Sequence, residues 1–74
     1  MIRYEEINDE WRRIISRWND HSSVTYEKNG IEMFGVVKTY YTPDTPLLFF
    51  KTGQSGFRYE ITEKEYTELI SKIC

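Results

Sequence analysis

A chain of 74 residues with 12 acidic and 10 basic side chains, a net charge of -2 and 16% aromatic content reads as one small domain, residues 1–74, too apolar and too aromatic for a disordered tail. The acidic balance argues against the basic surface by which generic phosphate-backbone binders hold nucleic acid. A single cysteine and a single histidine exclude an intrachain disulfide and a zinc site built within one chain; a reducing cytoplasm is the expected setting, and no stretch approaches the ~20 apolar residues of a membrane span.

The first residues, Met1 to Glu6, carry no apolar run with a small-residue cleavage site. Beyond them, Ile7, Trp11, Ile14, Ile15 and Trp18 recur at i, i+4, i+7, i+8 and i+11, which predicts an amphipathic N-terminal helix. Glu5, Glu6, Asp9 and Glu10 fall toward its start and Arg12, Arg13 and Arg17 toward its end, the order that complements a helix dipole. Asp9 and Arg13 are spaced for an i,i+4 ion pair. Asn19-Asp20-His21-Ser22-Ser23 then ends the helix.

Residues 24–28 read as a strand that meets Asn29-Gly30, the preferred pair for a two-residue type I′ hairpin, and residues 31–41 as its partner. In that register Lys28 faces Ile31, Glu27 faces Glu32, Tyr26 faces Met33 and Thr25 faces Phe34. The apolar phase of the second strand changes after Glu32, so a bulge or sharp bend is expected near Gly35. Leu47-Leu48-Phe49-Phe50-Lys51, apolar on both faces, predicts a strand covered on both sides or an edge that binds a partner. After a glycine-bearing turn, residues 57–61 alternate as a half-exposed strand does. Thr62-Glu63-Lys64-Glu65 matches a capping box, and Tyr66, Leu69, Ile70 and Ile73 give a second helical stripe.

The predicted order is therefore α-β-β-β-β-α: an α+β two-layer sandwich of a four-stranded antiparallel sheet with an N-terminal and a C-terminal helix, or alternatively a small, strongly curved β-barrel with flanking helices. The helix-strands-helix order resembles that of double-stranded-RNA-binding domains, a likeness of topology. The lysine-rich start of the last helix that this resemblance implies is here Thr62-Glu63-Lys64-Glu65, which removes the phosphate clamp. Gly30 to Val37 followed by Leu47-Leu48-Phe49 is faintly similar to the strands of Sm-type small barrels without their diagnostic loops, and neither family is assigned.

Chemistry is sparse. His21 sits in a polar run and Cys74 is the last residue, so neither is held as a nucleophile or base needs to be. No GxxxxGK[ST] or GxGxxG occurs. The expectation is a protein that is not an enzyme and uses neither cofactor nor metal.

Binding is a different matter. Glu27 and Glu32, opposed across the predicted hairpin, repel unless something relieves them: water, Lys28, Lys38 or Arg58 within the chain, or a basic partner surface. Tyr40-Tyr41-Thr42-Pro43-Asp44-Thr45-Pro46 is a stiff loop flanked by aromatics, with Pro43-Asp44 suited to a type I turn. The expected function is a small acidic protein-binding module, an inhibitor or adaptor that masks a basic surface of a nucleic-acid-handling protein through Glu27, Glu32, Tyr40, Tyr41, Pro43, Asp44 and Glu60. The alternative is direct RNA or DNA binding through Arg12, Arg13 and Arg17 of the first helix, with Lys38, Lys51, Arg58 and exposed sheet aromatics. The expected partner is a protein, nucleic acid is the second choice, no membrane partner is expected, and a homodimer is open.

Overall fold

Residues 7–18 do not form a helix. In the computed structural model, which describes residues 1–39 and 47–73, they make a turn and a strand. This segment holds no alanine and no leucine; tryptophan, isoleucine, serine and asparagine rank low as helix formers, and the aromatic and β-branched ones suit a pleated surface. Asn-Asp pairs at 8–9 and 19–20 stand on either side of the strand it forms. Asn8 Oδ1 accepts hydrogen bonds from the amides of Glu10 and Trp11, both at 2.9 Å, which folds the first turn. Across Asn19-Asp20 the Trp18 amide donates to the His21 carbonyl at 2.8 Å and closes the second.

Among the described residues there are six strands and one helix: β1 (Ile2–Glu6), β2 (Trp11–Arg17), β3 (His21–Lys28), β4 (Ile31–Thr39), β5 (Leu48–Thr52), β6 (Arg58–Ile61) and α1 (Glu63–Ile73). Every strand pairs antiparallel with its sequence neighbours, in the order β1-β2-β3-β4-β5-β6. The sheet is open, so the barrel alternative is overturned together with the four-strand, two-helix sandwich, and the topological likeness to double-stranded-RNA-binding domains goes with the missing first helix. His21 begins β3 and does not end a helix. Arg13 pairs with Glu5 of β1 at 3.2 Å, where a helical Asp9 partner was expected.

The β3-β4 hairpin turns on Asn29 and Gly30, whose φ angles of 53° and 84° are those of a type I′ turn. Lys28 faces Ile31 and Glu27 faces Glu32 as expected, but Tyr26 then faces Phe34, which leaves Met33 as the extra residue. The bulge thus falls at Met33, before Gly35, and puts both aromatic rings on one face.

That face carries the core. Tyr26 and Phe34 stack with centroids 4.6 Å apart, Trp11 flanks Phe34 at 5.8 Å, and Tyr66 of α1 meets Tyr26, Phe34 and Phe49 at 6.2, 5.8 and 4.8 Å. Burial, then a hydrogen bond with Tyr26, holds the Tyr66 hydroxyl proton well above the ordinary phenol range. α1 forms because Thr62 Oγ1 accepts from the Glu65 amide at 3.1 Å while Glu63 and Glu65 occupy the first turn and Lys72 the last. Its half-buried side is Tyr66, Leu69, Ile70 and Ile73; Tyr66 lies over β3 to β5, and the Ile73 carbonyl accepts from Asn8 Nδ2 in the β1-β2 turn at 3.1 Å. The opposite sheet face has no covering layer among the described residues.

Candidate binding face of the sheet

Strand alternation and the register sort the uncovered face into three rows that run across the strands. The central row is Tyr4, Ile14, Thr25, Gly35, Phe50 and Glu60. On one side lie Ile2, Ser16, Ser23, Val37 and Leu48; on the other lie Glu6, Arg12, Glu27 and Glu32, continued by Thr52 and Arg58. Ile2, Tyr4 and Leu48 are about half exposed. An apolar strip is therefore bordered by charge.

The charged row resolves the opposed glutamates from within. Arg12 Nη2 donates to Glu27 Oε1 at 2.9 Å, and its guanidinium lies 5.0 Å from the Tyr4 ring centre. Arg58 grips Glu32 with Nε and Nη2 at 3.0 and 2.6 Å, Thr52 Oγ1 adds a 2.8 Å bond, and the same guanidinium covers the Phe50 ring at 4.3 Å. The face thus holds two matching brackets of glutamate, arginine and aromatic ring on either side of the hairpin. Arg12 holds Glu27 by a single bond, whereas the Arg58–Glu32 pair is bidentate, which fixes side-chain geometry as well as charge.

Phe50 is only 3% exposed on a face without a second layer. Gly35 explains this. A Cβ built there would stand 2.8 Å from Phe50 Cζ and 2.4 Å from the Val24 carbonyl oxygen, so the ring lies across the bare glycine backbone while Arg58 caps it. Next to it Val37, Leu48, Phe50, Arg58 and Glu60 line a shallow depression of about 130 Å³. Small-molecule sites usually measure ~300–1,000 Å³, so this depression is too small to enclose such a ligand.

The Arg58 hydrogen bonds hold the Glu32 carboxyl below its ordinary range, against a smaller opposing effect of burial, and raise the Arg58 guanidinium in return. Because the folded-state value is the depressed one, the stabilisation is complete above the unfolded carboxyl range and is lost as pH falls through the folded value. Glu32→Gln should accordingly lower the melting temperature at neutral pH and flatten its decline in acid. Equal acid slopes for the two proteins in thermal melts below pH ~4.5 would show that Glu32 contributes nothing to that decline.

Of the expected binding residues, Glu27, Glu32 and Glu60 share the open face, as do Arg12 and Arg58 of the nucleic-acid set. Arg13, Arg17, Lys38 and Lys51 fall on the helix-bearing face, so the single arginine-lined helix surface does not exist. Tyr40, Tyr41, Pro43 and Asp44, with their turn, lie outside the described residues. Sequence reasoning missed Tyr4, Ile14 and Leu48 as members of one surface; the alternation of Ile2-Arg3-Tyr4-Glu5-Glu6 was the available signal.

Among the described residues no group of three or more His, Cys, Asp or Glu side chains is placed to hold a metal ion. His21 Nδ1 lies 2.7 Å from Asp20 Oδ1 at the β2-β3 turn. No described helix is long and apolar enough to cross a membrane. No known protein family, curated protein or solved structure matches the chain.

Proposed function

We propose that this protein is a non-enzymatic binding module that receives a protein partner on the open face of its sheet. The observation that carries the reading is the apolar strip of Ile2, Tyr4, Ile14, Val37 and Leu48, left without a covering layer among the described residues.

Charge narrows the partner's chemistry. Glu27 and Glu32 are already neutralised by Arg12 and Arg58, so they frame the strip and do not supply its attraction. Glu6 and Glu60, which carry no ion pair among the described residues, stand toward opposite edges of the same face. A protein surface with an apolar centre and lysine or arginine at its margins complements that arrangement, and the basic flank of a nucleic-acid-handling protein has this chemistry. The rival, direct nucleic-acid binding, draws on Arg17 and Lys38, exposed on either side of Ser22 on the other face, near the half-exposed Trp18.

Capture of partners from nuclease-treated lysate with Leu48→Glu, Tyr4→Ala and Arg17→Glu variants separates the two. A stoichiometric protein partner should survive nuclease, lose roughly tenfold or more in affinity with Leu48→Glu and Tyr4→Ala, and keep its affinity with Arg17→Glu. Binding that disappears with nuclease or with Arg17→Glu assigns the function to nucleic acid instead.

A further inference from the structure

Strand β6 pairs only with β5, so its outer edge has no backbone partner among the described residues. The Gly53 amide donates to the Phe57 carbonyl at 2.9 Å, which fixes the phase of that ladder. In an antiparallel pair, alternate residues turn their amide and carbonyl toward the neighbour. Phe57, Tyr59 and Ile61 therefore face β5, and Arg58 and Glu60 point their backbone groups outward. On this edge Phe57 is 76% exposed and Tyr59 is 50% exposed.

We infer that two copies of this chain pair through β6, antiparallel and centred on Tyr59, to form one continuous sheet across a twofold axis. This inference goes beyond the open-face reading and does not depend on it. The register follows from self-complementarity, since a twofold contact sets each residue against its mirror position. Arg58 of one copy then faces Glu60 of the other, twice, and these are the residues whose backbone groups point outward, so each such pair exchanges both ladder hydrogen bonds. Glu60, which has no ion pair among the described residues, acquires one with an arginine whose Nε and Nη2 also hold Glu32 within its own chain. Phe57 faces Ile61 and Tyr59 faces its own copy, so the exposed aromatic groups are covered by apolar ones.

The other edge fails the same test. An antiparallel self-pair of β1 centred on Tyr4 sets Ile2 against Glu6, an apolar side chain against a carboxylate at each end of the ladder. β6 holds neither proline nor lysine, two of the residues that commonly guard an edge strand.

Sedimentation velocity of the purified full chain, from low-micromolar to sub-millimolar concentration, tests the pairing. The expected species is a dimer of twice 9.0 kDa that dissociates on dilution. Glu60→Arg, which sets arginine against Arg58 of the other copy, and Glu60→Pro, which removes an outward amide without touching the β5 ladder, should each give a monomer with an unchanged folded spectrum. Glu6→Arg at the opposite edge should leave the dimer intact. In the wild type the amide protons of Arg58 and Glu60 should exchange slowly at dimer concentrations and fast on dilution. A monomer at every concentration, or a dimer that survives both Glu60 variants and is lost with Leu48→Glu, overturns the inference; the second result assigns self-association to the open face.

Discussion

Phe34→Ala should abolish the cooperative thermal transition of this domain. Phe34 is 2% exposed and lies among Trp11, Tyr26 and Tyr66, with ring centres between 4.6 and 5.8 Å away. Removing such a ring costs about 3–5 kcal/mol through lost burial and the cavity left behind. A domain of this size has a net stability of only about 3–5 kcal/mol from a single core. The described residues hold just three buried apolar side chains, Tyr26, Phe34 and Phe50, so no second cluster can compensate. Circular dichroism against temperature checks this: a cooperative melt within a few degrees of wild type would show that the aromatic cluster is not what holds α1 to the sheet. Phe34→Leu keeps most of the volume and should retain a transition at lower temperature.

Gly35→Ala adds one methyl group, yet should be the most damaging small substitution in the sheet. The new Cβ would meet the Val24 carbonyl oxygen at 2.4 Å and the Thr25 Cα at 3.0 Å, both backbone, as well as Phe50 Cζ at 2.8 Å. Overpacking of this kind costs about 1–3 kcal/mol, and each kcal/mol moves the melting temperature of a small domain by roughly 4–8 °C. Pairing it with Phe50→Leu should recover part of the loss, because only one of the three close contacts is a side chain that can give way. Two costs that simply add in such a double-mutant cycle would mean that ring and glycine do not interact.

Both substitutions act on a sheet that was partly legible in the sequence. Asn29-Gly30, the apolar run of β5 and the capping box at Thr62 specify local geometry with few competitors, and each is found where its residues place it. Residues 7–18 were misread because a strand that is half-buried on both faces can present apolar residues at helical spacing by coincidence. Ile14 and Ile15 are adjacent and point to opposite faces of β2. Their helical periodicity is satisfied in number and meaningless in space. Composition was the better guide: a segment without alanine or leucine, between two Asn-Asp pairs, favours a hairpin arm over a helix. The same error hid the open face of the sheet, since placing Arg12, Arg13 and Arg17 on one helical surface concealed that β2 sends Arg12 to Glu27 and Arg13 to Glu5.

The strict neighbour-to-neighbour order of the strands also bears on how the chain is made. Each hairpin can close as soon as its second arm leaves the ribosome, because no strand waits for one synthesised much later. Helix α1 is the exception. Tyr66 lies 40 positions beyond Tyr26 and 32 beyond Phe34, and Ile73 lies 65 beyond Asn8, which donates to its carbonyl, so the aromatic face of the sheet is covered only when the last element docks.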